Sequence, residues 1–412
     1  MLPTFCGHCV PAVFVSSLVD ARMSDSRALI FELPALFKVD AVVGQGAYGA
    51  VCRAAVRDCD HVVAIKKIPQ YAKSADTAKR VLREVLILQQ FQFVRQIVAA
   101  HMIFRPVSAE KDLYVVMDYV PSDLSTFIKQ TTQLNEPMIQ YIVAQLLLGL
   151  RGIHAGECIH RDLSTRNVLL NERCEVQIAD FGLARFFDPE ERMSFGVVTQ
   201  WYRAPEIITD ANYTSKVDVW SVGVIMAELY MQGHIFPGKP NDLADQLNRI
   251  MKILGVPDVD LFVNTDATLS SSSDNAKRYI QRVAASSRPY KRTLFEAEGP
   301  RFKHEMSDEA KTFMSRLLCF NPDERPSAEE ALKDKWFEPL RAFIDENLQV
   351  QDCEQESTAT TMKNEVLNYP KSDVDQLTAE IERLAPQWNK ELEQEASALF
   401  KEEAERVADA AE

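Results

Sequence analysis

Hydrophobic spacing changes period at Pro121, and that change restricts the chain to few architectures. From about Phe37 to Val120 the apolar residues fall in short runs of strand length, at 39–43, 50–54, 62–68 and 113–117. One stretch, 76–91, breaks the pattern: Val81, Leu82, Val85, Leu86 and Leu88 recur there at helical spacing. Beyond Pro121 the long apolar segments are helical, at 138–153 with Gly156 as a stop, then at 220–230, 308–318 and 328–333. The pattern predicts an α+β chain, with a small antiparallel sheet carrying one helix followed by a larger, mainly helical part. An insert near 238–290, with its serine run at 270–273, reads as a surface loop. From Gln351 onward, Val374, Leu377, Ile381, Leu384 and Trp388 have amphipathic helical spacing, broken at Pro386. The expected boundaries are a poorly ordered extension at 1–35, a β-rich part at 36–120, a helical part at 121–345 and an acidic helical tail at 346–412.

Charge and cysteine usage narrow the function. Residues 351–412 hold 16 acidic and 6 basic side chains, a net of −10 out of −14 for all 412 residues. The body is therefore nearly neutral. No nucleic-acid partner is expected, because phosphate neutralisation needs a basic face. The eight cysteines are scattered, as in a reducing compartment. Cys6 and Cys9 flank His8, but no further metal ligands follow nearby. Residues 2–19 are fairly apolar, yet Pro3 and Pro11 interrupt them and no basic residue precedes them. They fit neither a signal peptide nor a membrane span, and Met23 offers a second initiator. The expectation is a soluble monomer of the cytoplasm, with the nucleus as a second compartment and no membrane partner.

Five motifs carry chemistry. Gly44-Gln45-Gly46-Ala47-Tyr48-Gly49-Ala50-Val51 lies between two strand-like runs, where glycines let backbone amides approach phosphate oxygens. Alone it is an ordinary glycine turn. Val63-Ala64-Ile65-Lys66 ends an apolar strand on a lysine that needs a partner if buried, and Glu84 on the following helix supplies one. In Ile159-His160-Arg161-Asp162-Leu163, Asp162 suits the acceptance of a hydroxyl proton, and Asn167 downstream suits a metal ion. In Ile178-Ala179-Asp180-Phe181-Gly182, Asp180 suits Mg²⁺, which favours carboxylate and phosphate oxygens. Ala204-Pro205-Glu206 closes the series. Each motif alone is weak, but their order along the chain is that of a phosphotransferase acting on ATP and Mg²⁺.

With those residues in view, the chain over roughly 36–345 resembles the eukaryotic protein kinases, and within them the mitogen-activated kinases of the group that also holds the cyclin-dependent kinases. The closer likeness rests on Lys66-Lys67-Ile68, Leu183-Ala184-Arg185, Trp201-Tyr202-Arg203-Ala204-Pro205-Glu206, Phe236-Pro237-Gly238-Lys239 and Asp245-Gln246-Leu247-Asn248-Arg249. The resemblance implies a two-lobed fold with ATP at a hinge near Met117, Asp118 and Val120, lined also by Val51, Ala64, Asp123 and Leu169. It implies protein substrates phosphorylated on Ser or Thr, with Arg203 matching the arginine linked to a following proline. It implies that Thr199 contacts the catalytic aspartate, that Asp218 tethers the catalytic loop and that Arg325 pairs with Glu206.

Two departures stand out. Ser164 occupies the usual place of a catalytic-loop lysine, and Arg166 is the nearest alternative cation. The phosphorylation motif of the family is reduced to Ser194-Phe195-Gly196. An upstream kinase acting on Ser194 would place a phosphate for Arg80, Arg161 and Arg185 to clamp. The competing reading is a pseudokinase scaffold that signals by binding, and the acidic tail is a further partner-binding candidate.

Overall fold

The computed structural model describes residues 14–19, 29–34, 36–46, 49–57, 61–106, 111–186, 200–209, 213–258, 271–286, 289–355 and 379. The chain divides into two compact units. The first takes in the described residues up to Gln92 and Val98–Val120. The second takes in Phe93–Ile97 and the described residues from Pro121 to Gln355, while Ala379 falls with the first.

In the first unit, β1 (Phe14–Val19) pairs antiparallel with β2 (Leu29–Pro34). A five-stranded antiparallel sheet follows, built from β3 (Phe37–Gly46), β4 (Gly49–Val56), β5 (Val62–Ile68), β6 (Ala100–Phe104) and β7 (Leu113–Asp118), in the order β3-β4-β5-β7-β6. Helix α1 (Ala75–Gln90) lies between β5 and β6 in the chain. Ser74 caps α1 by accepting from the Thr77 amide, and its apolar stripe is buried. The extension expected at 1–35 is thus partly structured. Alternation at Leu29-Ile30-Phe31-Glu32-Leu33 turns Phe31 and Leu33 inward, into the core with Phe37, Phe104 and Tyr114. The Tyr114 hydroxyl accepts from the Glu32 amide at 3.2 Å.

In the second unit, β8 (Ser122–Asp123) leads into α2 (Leu124–Gln130) and the long α3 (Glu136–Ala155). Short strands β9 (Cys158–Ile159), β10 (Val168–Leu170), β11 (Val176–Ile178) and β12 (Arg185–Phe186) carry the loops of the site. Helices α4 (Pro205–Ile208), α5 (Lys216–Met231), α6 (Leu243–Leu254), α7 (Ser271–Ala284), α8 (Asp308–Leu317), α9 (Ala328–Leu332) and α10 (Arg341–Gln355) complete it. Helix α5 is apolar on all sides and buried from Val217 to Tyr230, the position of a central core helix. A side chain on Gly223 would meet Leu317 and Leu318 at 2.9 Å, so the glycine lets α5 approach α8. The length and apolarity of α3 would suit a membrane span, but most of it is buried within the protein.

Two further boundaries differ from expectation. The insert is helical at both ends: Leu247, Ile250, Met251 and Leu254 bury one face of α6, and the serine run opens α7. Helix α10 runs across the expected boundary at 345/346. Asn347 accepts from Gln96 Nε2 at 3.1 Å, and Gln351 donates to the Leu148 carbonyl of α3 at 3.0 Å. Those buried amides hold α10 to the second unit, while the expected helix around 374–388 falls outside the described residues apart from Ala379. Cys52, Cys158, Cys174 and Cys319 are free thiols. Burial pushes the Cys52 thiol up to about 12, which leaves it inert.

Candidate active site

One face of the sheet in the first unit collects the residues expected at the nucleotide. Val51 stands opposite Lys66, and Ala64 opposite Met117. With side chains alternating along each strand, Val51, Lys66, Ala64 and Met117 share a face. Gly44, Gln45 and Gly46 end β3, and Gly46 pairs with Gly49 at the start of β4. Gly49 has φ +139°, and a Cβ there would fall 1.9 Å from the Lys67 carbonyl oxygen, so only glycine fits. Gly46 has open space where its side chain would be. Ala47 and Tyr48 lie outside the described residues.

Lys66 Nζ donates to Glu84 Oε1, forming the ion pair that the strand and helix spacing predicted. Glu84 is 7% exposed, on the same face of α1 as Val81 and Leu88. A pair this sheltered is costly to break on one side only. The Asp118 carboxylate accepts from His101 Nε2 at 2.7 Å. Its neighbour Val120 is half-buried.

The second unit assembles the aspartates. Asp218 is fully buried and accepts three hydrogen bonds: from the His160 amide at 2.9 Å, the Arg161 amide at 2.8 Å and His154 Nε2 at 2.9 Å. Burial alone would raise its pKa, but these donors outweigh burial and hold the carboxyl below the usual range. The tether secures Arg161 in the left-handed region at φ +69°, and Asp180 shares that conformation at φ +63°. His160 Nδ1 accepts from the Asp162 amide at 3.3 Å, while Nε2 faces the Ala179 carbonyl at 3.2 Å. Burial lowers the pKa of His160, so a neutral ring cross-braces the two loops. Phe181 packs edge-on against that ring at 4.9 Å.

Asp162, Asn167, Asp180 and Arg203 converge. Burial, and then the charge of Asp180, push the Asp162 carboxyl up to about 7, against the opposing pull of Asn167 and Arg203. Asn167 Nδ2 donates to the Asp162 carbonyl at 2.8 Å, which turns its amide oxygen away from that bond. Two close carboxylates and an amide oxygen are hard donors that suit Mg²⁺, which takes few protein ligands and completes its shell with phosphate and water. Among the described residues no cluster of three His, Cys, Asp or Glu side chains forms a protein-only metal cage.

Other expected residues have different surroundings. Leu169 in β10 pairs with Asp123 in β8. The Asp123 carboxylate caps α2, accepting from the Thr126 amide at 2.9 Å and hydroxyl at 2.8 Å. Arg166 is exposed, whereas the charge of Arg203 acts on the Asp162 carboxyl and favours its ionised form. The family resemblance implies for Arg203 a role in substrate preference alone. The absent lysine at Ser164 was the signal that another cation was needed. Arg161 and Arg185 both act on the Tyr213 hydroxyl, and Arg80 lies on α1. Ser194 and Thr199 lie outside the described residues. Glu206 and Arg325 form a fully buried bidentate pair at 2.6 and 3.2 Å. Arg325 also bonds the Cys319 and Lys216 carbonyls and stacks over Trp220.

Residues 37–337 match the protein kinase domain. Human mitogen-activated protein kinase 13 is 36% identical over 356 residues, which cover 85% of this chain and 89% of that protein. The chain is a mitogen-activated-type protein kinase. Mitogen-activated protein kinase 5 of Arabidopsis thaliana is 37% identical over 308 residues, covering 74% of this chain and 77% of its own length. The mouse kinase 13 is 36% identical over 356 residues. Membership makes the protein a serine/threonine protein kinase and accounts for a β-rich unit that carries Lys66 and a helical unit that carries the aspartates.

Proposed function

We propose that this kinase is catalytically active, transfers the γ-phosphate of ATP to Ser or Thr in proteins, and prefers a hydroxyl residue followed by proline. The observation that carries the reading is the convergence of Asp162, Asn167, Asp180 and Arg203. Lys66, paired with Glu84, engages the α- and β-phosphates. Asp180 and the Asn167 oxygen would hold Mg²⁺, which when bound would neutralise charge on the phosphates. Asp162 orients the substrate hydroxyl and receives its proton as the oxygen bonds to phosphorus; the bond to the β-phosphate oxygen breaks and ADP leaves. Arg203 offsets developing charge near Asp162. Regulation by an upstream kinase at Ser194 belongs to the same reading.

Ser164 favours one rival, a scaffold that binds without turning over. Incubation with Mg²⁺-ATP and matched Ser-Pro and Ser-Ala peptides, followed by mass spectrometry, separates the two. Phosphate on the Ser-Pro peptide in excess over Ser-Ala supports the proposal. Equal labelling of both removes the proline preference, and nucleotide binding without labelling favours the scaffold.

A further inference from the structure

A buried chain of hydrogen bonds runs from the catalytic loop to a surface histidine. Thr165, 2% exposed, meets the Tyr202 hydroxyl at 2.8 Å. Tyr202 donates to Glu228 Oε2 at 2.8 Å, and His234 Nδ1 meets Glu228 Oε1 at 2.6 Å. A tyrosine hydroxyl has one proton. Since it goes to Glu228, the tyrosine oxygen accepts and Thr165 donates. Both carboxylate oxygens are then acceptors, so His234 carries its proton on Nδ1.

The far end is accessible and the near end is not. The His234 side chain is 39% exposed, whereas Glu228 is 2% exposed in the core of α5. The Trp201 ring packs on His234 with centroids 4.6 Å apart, and Trp201 Nε1 donates to the Gly238 carbonyl at 2.8 Å. Ser221 Oγ binds the Tyr202 carbonyl at 2.9 Å. The turn at Gln200–Tyr202 is thereby fixed on several sides. It leads directly to Arg203, whose charge acts on Asp162. On the other side, the Thr165 carbonyl accepts from the Ser125 amide at 2.9 Å, so the threonine braces the loop between Asp162 and Asn167. His234 is bonded to Glu228 on α5 and, one bond further, is linked to Tyr202. Burial and then Glu228 raise the Tyr202 pKa far above the usual range, so its proton stays in place.

We propose that Thr165 is a positioning residue that aligns the catalytic loop with Arg203 through Tyr202, and that Glu228 and His234 hold this alignment from the surface. The proposal rests on the kinase being active. It differs from the direct roles of Asp162, Asn167 and Asp180, because none of the four residues needs to touch a substrate. A buried polar chain of this kind acts as a unit, so losses along it should fail to multiply.

The test compares wild type, Thr165→Val, Thr165→Ser, His234→Leu, His234→Asn and Thr165→Val/His234→Leu. Peptide kinetics are measured at neutral pH. Amide hydrogen exchange at 163–167 and 200–203 is followed in parallel. The expected result is a kcat about tenfold lower for Thr165→Val, with the KM for ATP unchanged and rescue by Thr165→Ser. His234→Leu falls to a similar level and the double variant goes no lower. His234→Asn keeps an N–H donor and most of the rate. Exchange at both segments quickens in Thr165→Val and in His234→Leu. Tyr202→Phe serves the same comparison if Thr165→Val fails to fold. An unchanged kcat in Thr165→Val, or losses that multiply in the double variant, overturns the proposal. If wild type shows no turnover, the kinase reading fails instead, and the exchange comparison still decides whether the chain of bonds couples the two segments.

Discussion

The lysine half-site and the aspartate half-site are held by different means. In the first unit the alignment depends on two long side chains, Lys66 from β5 and Glu84 from α1, each with several rotatable bonds. In the second unit the alignment is set in the backbone. Asp218 holds the amides of His160 and Arg161, His160 braces Asp162 and Ala179, and Asn167 is bonded to the Asp162 carbonyl. A side-chain pair can be released by one rotamer change, whereas a backbone tether changes only if the loop is remodelled. The difference assigns adjustability to the first half-site and fixed geometry to the second.

Asp162→Asn is the harshest challenge to that contrast. It keeps shape and loop bonding but removes proton acceptance, so kcat should fall by about 10²–10⁴-fold with little change in Tm. A Tm drop as large as the loss of rate would mean that the residue is structural. Next comes Asp218→Ala, which orphans two buried backbone N–H groups at about 1–3 kcal/mol each and should lower both stability and kcat in chemical denaturation and turnover assays. The pH dependence has a definite sign. The folded-state pKa of Asp218 is depressed, so its stabilisation is present above the ordinary carboxylate value of about 4 and is lost as pH falls through the lower folded value. Asp218→Asn should therefore show a shallower loss of stability over that acidic interval.

Breaking the adjustable half should cost less in stability. Lys66→Met leaves Glu84 buried and unpaired, for about 2 kcal/mol, below the ~3 kcal/mol floor for fully buried pairs because Lys66 keeps part of its surface in water. Lys66→Met/Glu84→Leu should recover much of that stability and none of the activity. The mildest change is Ser164→Lys. With the charge of Arg203 already acting on Asp162, restoring a lysine should raise kcat by less than about tenfold, or 1.4 kcal/mol. A larger gain would show that Arg203 does not supply the missing charge.

The residues readable from sequence were those whose role follows from local context. Lys66 ends an apolar strand, Glu84 lies on the buried stripe of the next helix, and Asp162, Asn167 and Asp180 belong to compact motifs. The residues that escaped depend on tertiary placement. Nothing near Arg203 in the chain shows that its charge reaches Asp162, and nothing near Thr165 shows that Tyr202 lies within 2.8 Å. The fold divides similarly. Strand β5 and helices α3 and α5 follow from their continuous apolar runs and lengths, whereas β6 does not, because Ala100–Phe104 is short and contains His101. The register between β6 and β7 shifts at that histidine, which breaks the alternation a strand reading needs. Phe31 and Leu33 looked like part of an extension because their alternation is brief, and only the packing against Phe37 and Tyr114 identifies them as core.

The central claim is phosphoryl transfer by the aspartate half-site. Its most direct test is a single assay of γ-labelled ATP with a Ser-Pro peptide, run on wild type, Asp162→Asn and Asp180→Ala in the presence of Mg²⁺. Label on the peptide with wild type and its near-complete loss in both variants, all three folded by circular dichroism, is the predicted result. Equal labelling by all three, or no labelling by any, would contradict it.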